Sequence, residues 1–407
     1  MTGDATGRAA AAYDRAVHLP QTHDEAVTAA ARLVEALEPG AAERDRAGAA
    51  VVPREALALL DSSGLLAVTV PHADGGPGLG MRTLAEVARR VAAADPAIAQ
   101  VPQAHYLLVD LLAVHAAPEL RKRLFAEVLG GRRIGNALAE RGGKHAQDLR
   151  TRVEDGRLTG VKYYTTGALT SAWIAVSAIG ANGRVVLAFV PRDAPGVRVD
   201  TDWEVMGQRA TISGTATFTD VPVELSFDYT TVYEAPQQFG ARAQLVHAAI
   251  EVGIAGGALD AARDYLREKA RPSTEAVRAG AGRAVEDPHV MYRYGRLATR
   301  VRAAEALLDQ AARTLDEIGL TPAGADVAAR GSLAVAAAKA FGSEIAVEAG
   351  SELFGLCGTS STASKYDLDR FWRNARTHSV HDPVDWKYHH IAGYELSGAL
   401  PPNHGQL

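Results

Sequence analysis

The spacing of apolar residues divides the chain into three zones. In residues 22–131 the apolar positions recur at helical intervals, as in the run Val27, Ala30, Ala31 and Val34. In residues 241–356 the helical pattern returns in long alanine-rich stretches, at 247–267, 289–318 and 327–354. Helices of this length and composition pack closely, so a four-helix bundle is the expected arrangement of the third zone.

The middle zone, residues 134–229, changes to a period of two, which is typical of half-buried β-strands. Asp155-Gly156 and Asn182-Gly183 each lie between alternating segments, and both dipeptides favour hairpin turns. The predicted class is therefore α+β. We expect an N-terminal helical domain (1–132), a central antiparallel sheet domain (133–235) and a C-terminal bundle with a loop and tail (236–407).

Composition excludes several classes of protein. A chain of 407 residues can bury a substantial core, and its net charge of -5, without a long basic run, argues against a nucleic-acid partner. The single cysteine, Cys357, permits no intrachain disulfide and fits a reducing cytoplasm. We expect neither a signal peptide nor a membrane span, because residues 1–21 lack an apolar segment and no run of about 20 apolar residues is evident.

Glycine-rich stretches offer little support for a nucleotide-binding loop. Gly76, Gly78 and Gly80 lie between helical zones, and Gly280-Ala281-Gly282 follows a helix rather than a strand. Neither has the spacing and βαβ context of a dinucleotide fingerprint, and no Walker A sequence is present. Both are interpreted as turns, so a nucleotide-like cofactor would have to be held in another way.

The most informative segment is 371–387, which concentrates tryptophan, histidine, arginine and lysine. It could be an ordinary polar helix end, a metal site built on His378, His381 and Asp382, or a loop that faces a cofactor. No further metal ligand is evident elsewhere in the sequence, and Pro383 interrupts the helix at this point. We therefore predict no metal.

The order of the zones resembles the acyl-CoA dehydrogenase fold over nearly the whole chain. Short motifs add to the likeness: Ala93-Ala94-Asp95-Pro96, Gly207-Gln208-Arg209, Asp220-Val221-Pro222-Val223 and Arg373-Asn374-Ala375-Arg376. Where the dehydrogenases carry their catalytic Glu, however, this chain has His381-Asp382-Pro383. Residues 372–387 resemble instead the flavin-dependent monooxygenase branch of the fold (group D), nearest to the dibenzothiophene monooxygenase and sulfur-acquisition oxidoreductase family.

This resemblance implies a two-component enzyme. Reduced FMN would come from a separate NAD(P)H:flavin reductase and form a C4a-hydroperoxyflavin with O2. One oxygen atom would then pass to a small organosulfur or amine substrate. The resemblance also implies a homotetramer. The alternative function is that of an acyl-CoA dehydrogenase with FAD as its cofactor, and a third possibility is a helical scaffold without catalysis.

The resemblance also assigns roles to individual residues. It makes His381 and Thr166 catalytic, and it places at the flavin Asn136, Tyr164, Thr166, Arg271, His378 and Asp382. Arg271 is expected to bind the flavin phosphate across a subunit boundary. Asp382 is expected to orient its loop, or to accept a hydrogen bond from His378 or a backbone amide, and not to abstract a substrate proton.

Two further residues are assigned to the substrate pocket, His105 and Trp203. A place in the core, without a role in binding, is the open alternative for each of them. Val109 stands where the sulfur-oxidising relatives have an aromatic side chain, which suggests a reshaped pocket.

Overall fold

The computed structural model describes residues 17–144, 148–322 and 324–407. The first zone is helical, as predicted, with α1 (His23–Leu37), α2 (Ala41–Ala47), α3 (Arg54–Ser62), α4 (Met81–Ala94), α5 (Pro96–Gln100), α6 (Gln103–His115) and α7 (Pro118–Leu129). The hydroxyl of Thr22 caps α1 by accepting a hydrogen bond from the Glu25 amide. The helix is confirmed, but its buried face is formed by Ala26, Ala30, Leu33 and Leu37. It is therefore rotated from the apolar positions noted in the sequence, of which only Ala30 is buried.

The middle zone forms one sheet with β1 (Ile134–Ala137), β2 (Arg152–Glu154), β3 (Arg157–Lys162), β4 (Trp173–Ile179), β5 (Val185–Pro191), β6 (Val197–Val199), β7 (Ala216–Pro222) and β8 (Leu225–Asp228). The strand order is β6-β7-β3-β2-β4-β5-β8, with β1 beside β4. Both predicted hairpins are confirmed, and Asp155 and Gly156 both have positive φ, as a tight hairpin turn requires. The sheet is not wholly antiparallel, because β1 and β2 run parallel to β4.

The C-terminal zone contains α8 (Phe239–Glu268), α9 (Thr274–Arg278), α10 (Pro288–Ile318), α11 (Ala325–Cys357), α12 (Asp369–Ser379) and α13 (Val384–Ser397). The long helices α8, α10 and α11 pack against one another, and α4 from the first zone packs on α8. A Cβ atom at Gly253 or Gly257 would collide with the backbone of α4. Glycine at these two positions therefore permits the close approach of the two helices.

Two described segments, Pro96–His115 and Phe239–Glu268, are long and apolar enough to span a membrane by length and composition. Polar residues interrupt both segments, among them Asp110 and Glu251, so neither is a continuous run of apolar residues. In each segment, however, 78% of the most apolar window is buried inside the protein, as in core helices. Their hydropathy is therefore explained by packing within the fold.

A buried ion pair connects α8 to the N-terminal helices. Arg242 on α8 donates two hydrogen bonds to the carboxylate of Asp110 on α6, at 2.6 and 3.1 Å. Both side chains are more than nine-tenths buried. The bidentate geometry fixes the two helices relative to each other, but it also leaves either charge unpaired in the core if its partner is removed.

Replacing Arg242 by Met should therefore lower the free energy of unfolding by about 3–5 kcal/mol, because Asp110 would stay buried without a counter-charge. Urea denaturation at pH 7 measures the effect, and adding Asp110→Leu should restore most of the loss. Arg263→Met is the matched control on the same helix, where the ion pairs are exposed and a change below about 1 kcal/mol is expected. Equal effects of the two arginine substitutions would contradict this account.

Candidate active site

A cavity of about 400 Å³ lies between the sheet domain and the C-terminal helices. Its wall includes the end of α5, the turn after β3, the loop 203–213 and the end of α12 with the residues that follow. The side chains that matter most for its chemistry are those of Gln100, Tyr164, Thr166, Trp203, His378 and His381. Every one of these except Gln100 was assigned from the sequence.

On the sheet side, the backbone turns sharply at Tyr164. Its φ of +57° is unusual for a bulky residue and is the kind of strain that folds retain at functional sites. The half-exposed Tyr164 ring meets the edge of Trp203, with ring centroids 6.0 Å apart. The Trp203 Nε1–H donates to the Gln208 carbonyl at 2.9 Å, so the indole is held in one orientation at the cavity wall.

Beside these rings lies a short chain of hydroxyl groups. Thr166 Oγ1 is 2.7 Å from Ser213 Oγ, and Ser213 Oγ is 2.8 Å from Thr211 Oγ1. Asn136 does not line the cavity. Its backbone N–H donates to the Thr166 carbonyl, and its side-chain Oδ1 accepts from the Leu138 backbone N–H, both at 3.1 Å. In this structure Asn136 supports the Thr166 turn from behind, and its contact with a flavin stays a prediction.

On the helix side, His378 at the end of α12 is almost wholly buried. Its Nδ1 is 2.9 Å from Glu251 Oε1, while its Nε2 is 3.0 Å from Gln100 Oε1 and 3.1 Å from His247 Nδ1. Burial lowers the pKa of His378, although Glu251 partly opposes this. The imidazole is therefore neutral near pH 7.

The sequence-based assignment missed Glu251, His247 and Gln100. A signal for two of them existed, because His247 and Glu251 are four residues apart within a predicted apolar helix and must share one face. Two ionisable residues on one face of a buried helix indicate a polar site. No comparable pattern marks Gln100.

His381 lies at the cavity with its side chain about half exposed, and its ring packs on that of His247 at a centroid distance of 4.2 Å. Its Nδ1 is 3.3 Å from Oδ1 of the buried Asp382. The other Asp382 oxygen is 2.8 Å from Lys387 Nζ, and Lys339 Nζ is 3.9 Å from Oδ1. Burial alone would raise the pKa of Asp382, but His381 and the two lysines together hold that pKa well below its usual range.

The expected hydrogen bond between Asp382 and His378 does not form, because Glu251 occupies that position. Asp382 also does not line the cavity that holds His381. It lies instead at the wall of a second cavity of about 260 Å³, together with Trp386, Lys387 and His404. A direct flavin contact for Asp382 therefore has no support in this geometry, whereas the expectation that it orients the loop agrees with it.

His105 lies outside the cavity, contrary to its expected place in a substrate pocket. It is fully buried, its Nε2 is 3.0 Å from the Leu66 carbonyl, and its Nδ1 accepts from the Ile134 amide at 3.1 Å. Burial lowers the pKa of His105 to about 4, so the ring is neutral and joins α6 to β1. Val109, one turn along α6, is buried in the apolar core, so it does not reshape the cavity. Gln100 on α5 reaches the cavity instead.

Arg271 is exposed in the segment between α8 and α9 and does not line the cavity of its own subunit. Its assignment to a flavin phosphate across a subunit boundary is untested by a single chain. As for metals, no group of three or more His, Cys, Asp or Glu side chains with suitable geometry occurs within the described ranges. Both nitrogens of His378 already face hydrogen-bonding partners.

The three structural zones correspond to three known domain families. The acyl-CoA dehydrogenase N-terminal domain matches residues 20–132, the middle domain matches 137–221 and the C-terminal domain matches 245–386. The chain therefore belongs to the acyl-CoA dehydrogenase family, and the predicted α+β fold with a central sheet between helical domains is confirmed.

Within the family, the similarity is to monooxygenases. The dibenzothiophene monooxygenase of Mycolicibacterium goodii is 33% identical over 402 residues, covering 93% of this chain and 95% of the relative. The probable FMNH2-dependent monooxygenase SfnC of Pseudomonas putida is 32% identical over 375 residues, covering 89% and 92%. The structure of FMN-bound TdsC from Paenibacillus sp. A11-2 superposes with a TM-score of 0.88 at 28% identity, covering 94% of this chain and all of TdsC. The predicted resemblance to the monooxygenase branch is thus confirmed.

The cavity fits a flavin ring. The Thr377 hydroxyl and the Gln208 carboxamide are buried and have no hydrogen-bond partner among the described residues. Such atoms are costly to bury, and a ring edge that offers both N–H and C=O groups would satisfy them. Tyr164 and Trp203 supply aromatic surface for the apolar part of the ring.

The low pKa of Asp382 predicts a specific pH dependence of stability. Because the folded pKa is depressed, the stabilisation that Asp382 provides is fully present above its unfolded pKa of about 4 and is lost as the pH falls below it. The difference in unfolding free energy between the wild type and Asp382→Asn should be constant from pH 7 to 5 and shrink below about pH 4. Urea denaturation across this range measures it, with the exposed Asp385→Asn as control. A difference that grows on acidification would refute the assignment.

Proposed function

We propose that this chain is a two-component flavin monooxygenase that uses reduced FMN and O2 to oxygenate a small organosulfur compound. The observation that carries the proposal is the pairing of His378 and His381 at the cavity wall. None of the described residues that line this wall is Asp or Glu. A dehydrogenase needs a carboxylate base within reach of its substrate, so the alternative of acyl-CoA dehydrogenation lacks its central group.

The protein residues have distinct tasks in this reaction. Bound reduced FMN supplies the electrons that activate O2 for transfer of one oxygen atom. Tyr164 and Trp203 exclude water and orient the ring, and the Thr166 hydroxyl, backed by Ser213, offers a hydrogen bond beside it. His381 places its Nδ1–H towards Asp382, so Nε2 is the atom left to hold or move a proton at the cavity.

The wall also favours one kind of substrate. Among the described residues that line it there is no lysine or arginine, so an anionic sulfinate would enter without a counter-charge. The aromatic surfaces of Tyr164 and Trp203 suit a flat, uncharged sulfur heterocycle. We therefore propose a neutral aromatic sulfur compound as the substrate, with an uncharged amine as the second class to be assayed.

We also propose a homotetramer located in the cytoplasm. Arg271 is exposed in the segment between α8 and α9. A planar guanidinium in such a position suits the flavin phosphate of a neighbouring subunit. The single buried thiol of Cys357 agrees with a reducing compartment, and burial raises its pKa to about 12.

Replacing His381 by Phe should lower the yield of oxygenated product about 100-fold, and the enzyme should release hydrogen peroxide instead. Asp382→Asn should retain measurable product, because Asp382 acts on the loop rather than on the substrate. The assay mixes enzyme, photochemically reduced FMN and dibenzothiophene, and quantifies the oxygenated product and peroxide. His389→Phe, an exposed histidine on α13, is the matched control and should behave as the wild type.

The same variants test the alternative function. If saturated acyl-CoA thioesters bleach a bound flavin, and Asp382→Asn abolishes that bleaching, the monooxygenase assignment fails and the dehydrogenase stands.

The purified enzyme should not consume NADH on its own. No dinucleotide fingerprint occurs in the sequence, so electrons must arrive on flavin reduced elsewhere. Mixing the enzyme with NADH, FMN and O2 should give no NADH oxidation above the background, and adding a flavin reductase should start product formation. Rapid NADH oxidation by the pure protein would contradict the two-component scheme.

A further inference from the structure

A buried charged cluster lies behind the cavity and is not used by the chemistry proposed above. It consists of Glu251 on α8 and of Lys339 and Ser343 on α11, and the first two are completely buried. Lys339 Nζ donates to Glu251 Oε1 at 2.5 Å, and Ser343 Oγ donates to Oε2 at 2.7 Å. The third group that approaches Glu251 is Nδ1 of His378, at 2.9 Å.

Stability alone does not explain this cluster. A buried ion pair gains little over apolar side chains of the same volume, because both charges must be stripped of water. The other buried ion pair of α8, Arg242 with Asp110, faces α6 and not α11. Between α8 and α11 the core residues are otherwise apolar, and the charges of this cluster lie next to His378 of the cavity, which points to a role in the site.

The cluster determines which nitrogen of His378 carries the proton. Burial would raise the pKa of Glu251, but Lys339 and His378 together hold that pKa below its usual value, so Glu251 is an anion. An anionic carboxylate accepts, so His378 carries its proton on Nδ1 and offers the lone pair of Nε2. Nε2 has one lone pair, and the donors that can use it are His247 Nδ1–H and the amide of Gln100, once its NH2 end is turned towards the ring.

His247 connects His378 to His381 at the cavity. It lies between the other two imidazoles, bonded to His378 and packed against the ring of His381 with centroids 4.2 Å apart. Burial, with like charges nearby, holds the pKa of His247 well below its usual value. The ring of His381 is thus held by His247 on one side and by Asp382 at Nδ1.

The charges that face these imidazoles cancel. They are Glu251 from α8, Lys339 from α11, Asp382 from the loop before α13 and Lys387 from α13. Two carboxylates and two ammonium groups leave no net charge, so a neutral state of His247 and His378 is the balanced one.

We propose that Glu251, balanced by Lys339, is a positioning residue that fixes the neutral Nδ1–H form of His378 and, through His247, the orientation of His381 at the cavity. The inference rests on the proposed monooxygenase function for its role in turnover, but the state of His378 can be measured without turnover.

Two variants separate this role from a structural one. In Lys339→Met the Glu251 anion loses its counter-ion, so His378 should take up a proton near neutral pH in its place. The acid limb of the pH profile of kcat/KM should then move upward by about one pH unit or more. In Glu251→Gln/Lys339→Met the cluster is neutral again, so the limb should stay where it is in the wild type. The form of His378 would no longer be fixed, and kcat should fall about 10-fold with KM unchanged.

A second readout uses the enzyme without flavin or substrate. Protein labelled with ¹⁵N only at histidine reports, through ring-nitrogen chemical shifts, whether His378 is neutral or protonated, and a His378→Gln spectrum assigns the signal. The wild type and the double variant should show a neutral ring at pH 7, and Lys339→Met a protonated one. Lys122→Met, an exposed lysine on α7, is the matched control and should match the wild type in every measurement.

The outcomes distinguish the two proposals. If Lys339→Met shows the wild-type pH limb and a neutral His378, or if the double variant keeps wild-type kcat, the positioning role is overturned even though the monooxygenase function stands. If the wild type oxygenates no sulfur compound or amine while Lys339→Met protonates His378, the function fails and the assignment of Glu251 to His378 stands.

Discussion

The hydrogen bond between Glu251 and His378 is the interaction on which the site depends most. It joins the middle of α8 to the end of α12, and its carboxylate is completely buried among the helices. Such a charge is tolerable only with a partner at bonding distance, which Lys339 on α11 provides. The carboxylate of Glu251 therefore links α8, α11 and α12 through its hydrogen bonds. These bonds fix the position of His378 at the cavity wall.

The apolar character of the bundle follows from the same requirement. The attraction between Glu251 and Lys339 is strong only where water is excluded, and alanine and glycine let α8, α11 and α4 approach closely enough to exclude it. Phe239–Glu268, one of the two segments of high hydropathy, is the helix that carries Glu251. Its apolar residues exclude the water that would weaken the ion pair.

Much of this arrangement follows from the sequence, and the exceptions have physical causes. The hairpin at Asp155-Gly156 was predictable because its turn is a local property of two residues. His378 and His381 were found because they lie in one continuous motif. His105 was misplaced because its role was carried over from the resemblance, whereas here its ring bonds to the Leu66 carbonyl and the Ile134 amide inside the core. Gln100, at the end of α5, reaches the cavity instead, and no sequence pattern marks it.

The position of Asp382 explains how one fold can support two chemistries. By the resemblance, Asp382 lies where the dehydrogenases are expected to carry their catalytic Glu, which would have to face the substrate. Here Pro383 begins the turn into α13, and the carboxylate points towards Lys387 and Lys339 instead. His381 and the two lysines hold the pKa of this carboxyl well below its usual range, which makes it a weak base for a substrate proton. The neighbouring His381 lines the cavity instead, so the side chain presented there is an imidazole and not a carboxylate.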